Sequence, residues 1–352
     1  MPKTPKKASM QMIADRLGIS KGAVSIALAG KTGVSDDLRD SVVRTARELG
    51  YRWKRNAVKG VDPARNILVL IPQYISADTF FYNEIYWSIE REAKVRGCLA
   101  MLTSVDAELE ERLALPSVCK SMPFGGVIVI GVFSEAYVRM LCGLGLPVLS
   151  VDHVYAGVPV DSVVTANLAG ACDVVSHLLT LGLRDIGYIG SVDVTASLFE
   201  RWCGYVKALR THGLVPDPRH SILQTAALGD LLGDAEELGA LLDALPDHPT
   251  AWFCGGDRIA LALTVALKNR GLRIPEDVSV AGFDDTQAAG LVTPPLTTYR
   301  VHRDRMGVLA VDTLLARMDG GQDVLKQAIY GELVVRGSVC APGSASAGTS
   351  LA

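Results

Sequence analysis

The stretch ISKGAVSIALAG, residues 19–30, sets small side chains around three polar ones, Ser20, Lys21 and Ser25. Residues of these types can contact a nucleic-acid groove. Lysine and serine reach phosphates or base edges, Gly22 and Ala23 let a backbone approach closely, and Ile26 offers an apolar contact suited to a thymine methyl. Lys31 adds charge just beyond. The competing reading turns Ile26 inward and gives this segment to a protein partner. Catalytic chemistry has no comparable signal, since the chain carries no G-x-S-x-G, no P-loop and no H-E-x-x-H. GLGLP at 143–147 reads as a helix end before a strand and lacks the glycine that would complete a dinucleotide fingerprint. Seven cysteines and six histidines are scattered singly, so no metal ligand set, catalytic residue or cofactor is assigned. Such dispersed thiols fit a reducing cytosol, and the expected localisation is cytoplasmic.

Ser9 is placed to cap a helix MQMIADRL, whose Ile13, Ala14 and Leu17 share a face. Gly18-Ile19-Ser20 then forms a tight turn in which glycine takes positive φ, and Ser20 caps a second helix over 21–29. In that helix Val24, Ala27 and Leu28 face inward, while Gly22, Ser25, Ile26 and Ala29 face out. A third helix opens at Ser35 and runs to Leu49. Charge agrees with this all-α helix-turn-helix domain over 1–50. Residues 1–60 hold 13 Lys and Arg against 5 Asp and Glu, and the rest of the chain holds 22 against 33. A basic head on an acidic body is the footprint of a nucleic-acid module joined to something else.

The body alternates between apolar runs and helical stretches. NILVLIP, LAMLTS, GGVIVIG and PVLSVD are separated by expected helices near 82–96, 106–120 and 134–144. DIGYIG, SILQ, TAWFC and VSVAGFD follow, with helices over 195–213, 234–245 and 257–270. Continuous apolar strands mean parallel sheets covered on both faces, and two series mean two lobes. A ligand between them meets the carboxyl ends of the strands. No apolar run approaches the ~18 residues needed to cross a bilayer, and no apolar segment follows the basic MPKTPKK, so neither membrane nor export is expected.

MIADRLGISKGAVSIALAGKTGVSDDLRDSVVRTARELGY resembles the DNA-binding domain of the lactose/galactose repressor (LacI–GalR) family. VDSVVTANLAGACDVVSHLLTLGLRDIGYIG, SLFERWCGYVKAL, IPEDVSVAGFDDTQAAGLVTPPLTTYR and GELVVRGS resemble successive landmarks of its cores. The resemblance implies an α/β periplasmic-binding-protein-like (type I) core of two Rossmann-like lobes over 65–341, with a hinge over 51–64 and a disordered tail over 342–352. The lobes are expected at about 65–162 with 292–322, and about 163–291 with 323–341. The family places a minor-groove wedge in the hinge, which here reads Trp53, Lys54, Arg55, Asn56 and then Lys59-Gly60-Val61, with no leucine. Val61 as a small wedge and a plain basic linker both remain open.

The resemblance also implies effector contacts. Phe81 and Tyr82 match aromatic positions; the alternative is that they staple the following helix to the sheet. Asp152 and Asp284 match hydrogen-bonding carboxylates, Ser197 a pocket serine, and Arg201 a ligand-gripping arginine whose fork suits bidentate recognition. Phe283 precedes Asp284 in the same AGFDDT segment. Gly256 stands where the family has an asparagine, Ile26 where it often has an arginine, and 223–235 lacks a tryptophan. Asp257 is expected to cap the helix over 257–270, and Asp285 the next turn. The implied function is a homodimeric repressor on a pseudo-palindromic double-stranded DNA operator, controlled by a small-molecule effector such as a sugar. The alternatives are a regulator with a vestigial cleft or protein co-regulator, and a solute-binding protein.

Overall fold

The computed structural model describes residues 9–28, 33–35, 38, 41, 42, 44–46, 49, 51, 63–74, 81–120, 122–223 and 234–343. The chain divides into two compact units, 1–63 and 64–352.

In the first unit, α1 (Met10–Leu17) begins at Ser9, whose Oγ accepts the Met12 N–H. It ends at Gly18, whose φ of 65° only glycine adopts at little cost. Helix α2 (Lys21–Leu28) follows at once, and the Ser20 hydroxyl accepts the Ala23 N–H at 3.0 Å. These caps satisfy donors that a helix start leaves unpaired. Ile13, Ala14, Val24, Ala27 and Leu28 form a core with Val42 and Ala46, which lie in a further helical segment.

The second unit holds two parallel sheets. The larger contains β1 (Ile67–Pro72), β2 (Ala100–Val105), β3 (Gly126–Ile130), β4 (Val148–Val151), β5 (Asp161–Thr165) and β11 (Lys326–Ile329), in the order β11-β5-β4-β3-β1-β2. The smaller, in the order β7-β6-β8-β9, contains β6 (Ile186–Ile189), β7 (Ser221–Ile222), β8 (Ala251–Cys254) and β9 (Ser279–Ala281). Strands β1, β3, β4, β5, β6, β8 and β9 are buried along their whole length, as helices on both faces require. Around them lie α3 (Phe81–Val95), α4 (Ala107–Glu111), α5 (Glu135–Cys142), α6 (Asn167–Thr180), α7 (Ala196–Thr211), α8 (Ala235–Asp243), α9 (Asp257–Asn269), α10 (Gln287–Leu291) and α11 (Arg303–Met318). Helices α6 and α7 approach so closely that a Cβ at Gly204 would collide with the Leu168 carbonyl.

Strand pairing moves the expected lobe boundaries. Val163–Thr165 completes β5 and stays in the first lobe. Strand β10 (Thr298–Arg300) pairs with β12 (Glu332–Val334), Arg300 bridges to Asp284 and Thr297 just before the strand bridges to Ala281, so 292–300 belongs to the second lobe. Lys326–Ile329 pairs with β5, so 323–329 belongs to the first. The chain therefore crosses between lobes at 165–167, 300–303 and 329–332. The helix expected over 106–120 is also shorter. It stops at Glu111, Leu113 takes φ 50°, and a separate 3₁₀ turn forms at Ser117–Lys120. Pro116 accounts for the break, because it lacks an N–H and disfavours helix at the residue before it.

Candidate functional site

On α2, Lys21, Gly22 and Ser25 are exposed and Ala23 and Ile26 half-buried, while Val24, Ala27 and Leu28 are buried. The helix thus presents a small, polar outward face, with Ser20 engaged as its cap. Lys31, Trp53, Lys54, Arg55, Asn56, Lys59 and Val61 lie outside the described residues, as does Ala29.

The remaining candidates converge between the lobes of the second unit. From the first lobe, Asp152 follows β4 with φ 64°, and its Oδ2 accepts the Tyr82 hydroxyl at 3.2 Å. Burial pushes the Asp152 carboxyl up to about 7, with Arg201 opposing and Asp284 adding to the rise. Burial, then the charge of Asp152, raises the Tyr82 phenol too. Asp152 Oδ1 accepts no hydrogen bond among the described residues. Phe81 sits in the apolar core with Ile85 and Ile89, its ring 5.5 Å from the Arg303 guanidinium, so its main contacts are those of a packing residue.

From the second lobe, Ser197 and Arg201 stand one turn apart on α7, both buried. The Arg201 Nε donates to Asn167 Oδ1 at 2.9 Å and Nη1 to the Gly255 carbonyl at 2.6 Å. Its Nη2 pairs with Asp284 Oδ1 at 3.0 Å, and its plane lies 3.9 Å from the Phe283 ring centroid. The guanidinium therefore acts first as a scaffold that holds Asp284 and covers Phe283, which stacks on Tyr299. Ser197 Oγ meets Thr195 Oγ1 at 3.4 Å. A Cβ at Gly256 would lie 3.2 Å from Asp284 Oδ2, tighter than ordinary contact, so the missing side chain lets that carboxylate lie close against the backbone.

Two local readings need correction. Asp257 is the first residue of α9 rather than its cap, and it ties distant chain together. It accepts from the Thr298 hydroxyl at 2.6 Å and the Thr286 N–H at 2.7 Å. Asp285 caps no turn but pairs with Arg300 at 2.7 Å and Arg336 at 2.6 Å. Despite burial, those two cations hold its carboxyl below the usual range.

Arg303 is the functional candidate that sequence reasoning missed. From the start of α11 it donates to Glu84 Oε2 at 2.5 Å, the Asp284 carbonyl at 2.6 Å and the Asp285 carbonyl at 3.1 Å. It thereby ties the first turn of α3 to the backbone of the opposite lobe. Lys326 and Glu200 make a second link between lobes at 2.9 Å. Two surface grooves, of about 430 and 590 Å³, lie elsewhere, one along α11 and β11 and the other on the outer face of α7.

Residues 175–339 match the periplasmic binding protein-like domain. The HTH-type transcriptional repressor CytR of Escherichia coli (strain K12) is 30% identical over 338 residues, 94% of this chain and 96% of that one. The chain belongs to the LacI family. It is an HTH-type transcriptional regulator with a periplasmic-binding-protein-like body. Among solved structures of LacI-type regulators, the CelR–cellobiose complex is 26% identical, with a TM-score of 0.68 and coverage of 94% of this chain and 99% of that one. The lac repressor dimer bound to operator and an anti-inducer shares the fold, with a TM-score of 0.68, 22% identity, and coverage of 96% and 100%. Among the described residues no helix is long and apolar enough to cross a membrane.

Proposed function

We propose that this LacI-family regulator represses transcription as a homodimer, one head per half-site of a pseudo-palindromic operator, and that a small polar effector between its lobes sets its affinity for DNA. The observation that carries the effector reading is the convergence of Tyr82 and Asp152 from one lobe with Arg201 and Asp284 from the other. Polar groups gathered at the carboxyl ends of two parallel sheets are a ligand-site arrangement. The exposed Lys21 and Ser25 on a capped helix support the DNA reading. CelR in its cellobiose complex and the lac repressor on operator are precedents for the two halves of this proposal.

Control requires the effector to interact differently with two arrangements of the lobes. Arg303 and the Glu200–Lys326 pair join the lobes, so a ligand that alters their spacing moves the start of α3 and with it the first lobe. Operator binding measured by gel shift, with and without a small-molecule cell extract, tests this. The proposal requires a shift in affinity with the wild type and a weaker shift with Arg303→Lys. An unchanged wild type would favour a protein co-regulator.

A further inference from the structure

We propose that the effector carries a cationic nitrogen, an amine or amidinium, which sits against Asp152 and beside Asp284. This rests on the reading of the cleft as the effector site and names the ligand class. Asp152 is 8% exposed, and among the described residues its Oδ1 accepts nothing and its Oδ2 accepts only the neutral Tyr82 hydroxyl. A buried carboxylate in that condition lacks most of the interactions it had in water. Among the described residues the groups that face it compensate only in part: Arg201 favours its charge but is itself paired with Asp284, while Asp284 and Glu200 oppose that charge, and Lys326 is paired with Glu200.

Asp284, whose charge adds to the rise at Asp152, lies with its Oδ2 close against Gly256, 3.2 Å from where a Cβ would stand. A neutral hydroxyl at Asp152 adds one hydrogen bond and leaves the excess charge. A phosphate meets two carboxylates and an arginine already engaged. An ammonium offsets the charge and donates to both acids at once.

The test uses matched trios of compounds with the full-length protein at about pH 7, where the amines are mostly cationic, by isothermal titration calorimetry. The trios are glucose, glucosamine and glucose 6-phosphate; galactose, galactosamine and galactose 6-phosphate; and butane-1,4-diol, putrescine and succinate. At least one amine should bind roughly tenfold to a hundredfold more tightly than its neutral counterpart, as a charge-assisted contact implies. Asp152→Asn should remove that advantage.

A second arm needs no ligand. Burial raises the folded-state pKa of Asp152 above its unfolded value, so wild type loses more stability than Asp152→Asn as pH rises towards 7. The variant should melt higher than wild type at about pH 8, and the gap should shrink at about pH 5.5. A variant that melts lower than wild type by the same amount at both pH values would mean that the charge is already compensated, and would overturn the proposal. So would a trio in which the neutral or anionic member binds best, or the silence of every amine at millimolar concentration. Failure of the cleft as an effector site shows separately, as operator binding that no small-molecule extract alters.

Discussion

Arg201→Met removes a guanidinium but keeps an unbranched apolar stem beneath it. The change strands three acceptors, the Asn167 side chain, the Gly255 carbonyl and the Asp284 carboxylate. The Arg201 and Asp284 side chains are 6% and 17% exposed, so water replaces little of what is lost. Breaking a buried ion pair from one side costs about 3–5 kcal/mol. Asp284 can respond by taking up a proton, which argues for the lower end, about 3 kcal/mol, or a fall in Tm of about 6–12 °C. Urea unfolding followed by tryptophan emission reads this directly, because Trp252 is fully buried in the same lobe. Arg201→Lys keeps the charge but not the fork and should fall between. Adding Asp284→Asn to Arg201→Met should recover part of the loss, since the stranded charge is gone. A loss below about 1 kcal/mol with an unchanged slope would refute the scaffold role.

Further outcomes follow from the same geometry. Ser20→Ala removes the cap of α2 and should lower the stability of the head by about 1 kcal/mol, seen as reduced helicity at 222 nm and weaker DNA binding. Lys21→Ala should weaken DNA binding and lower the slope of log K against log salt by about 1, as measured by fluorescence anisotropy. Gly204→Ala should destabilise the second lobe, because α6 and α7 cannot separate there cheaply, and calorimetry checks it. The Asp257 carboxyl is pushed up to about 7, by burial first and then Asp284. Its folded form holds a proton the unfolded form gives up, so wild type should lose stability relative to Asp257→Asn between about pH 5 and pH 8. Urea midpoints at the two pH values report the difference.

What the sequence disclosed is mostly local chemistry or continuous burial. Ser9, Gly18 and Ser20 mark helix ends because caps depend on residues three or four positions away. The strands at Ile67, Gly126, Val148 and Ala251 are apolar runs because both their faces are covered. Strand β11, KQAI, has no such run, since it forms the half-exposed edge of its sheet, and the third lobe crossing was misplaced with it. Asp257 and Asp285 read as caps from their neighbours, yet their partners lie between 15 and 51 residues away. Arg303 was invisible for the same reason, because two of its acceptors are backbone carbonyls of the other lobe, and carbonyls have no sequence signature. Arg201 in SLFERWCGY was marked only by the family resemblance, as a ligand-gripping arginine, and its engagement by Asn167 and Gly255 had no sequence signal.

The central claim is that a basic helix-turn-helix head grips duplex DNA under the control of a ligand held by the body. DNase I footprinting of the purified full-length chain on fragments flanking its own gene, at low salt and with or without small-molecule extract, tests it most directly. The account predicts two symmetric protected half-sites about one helical turn or a multiple apart, with protection that changes when extract is added. Every fragment left unprotected under both conditions would contradict it.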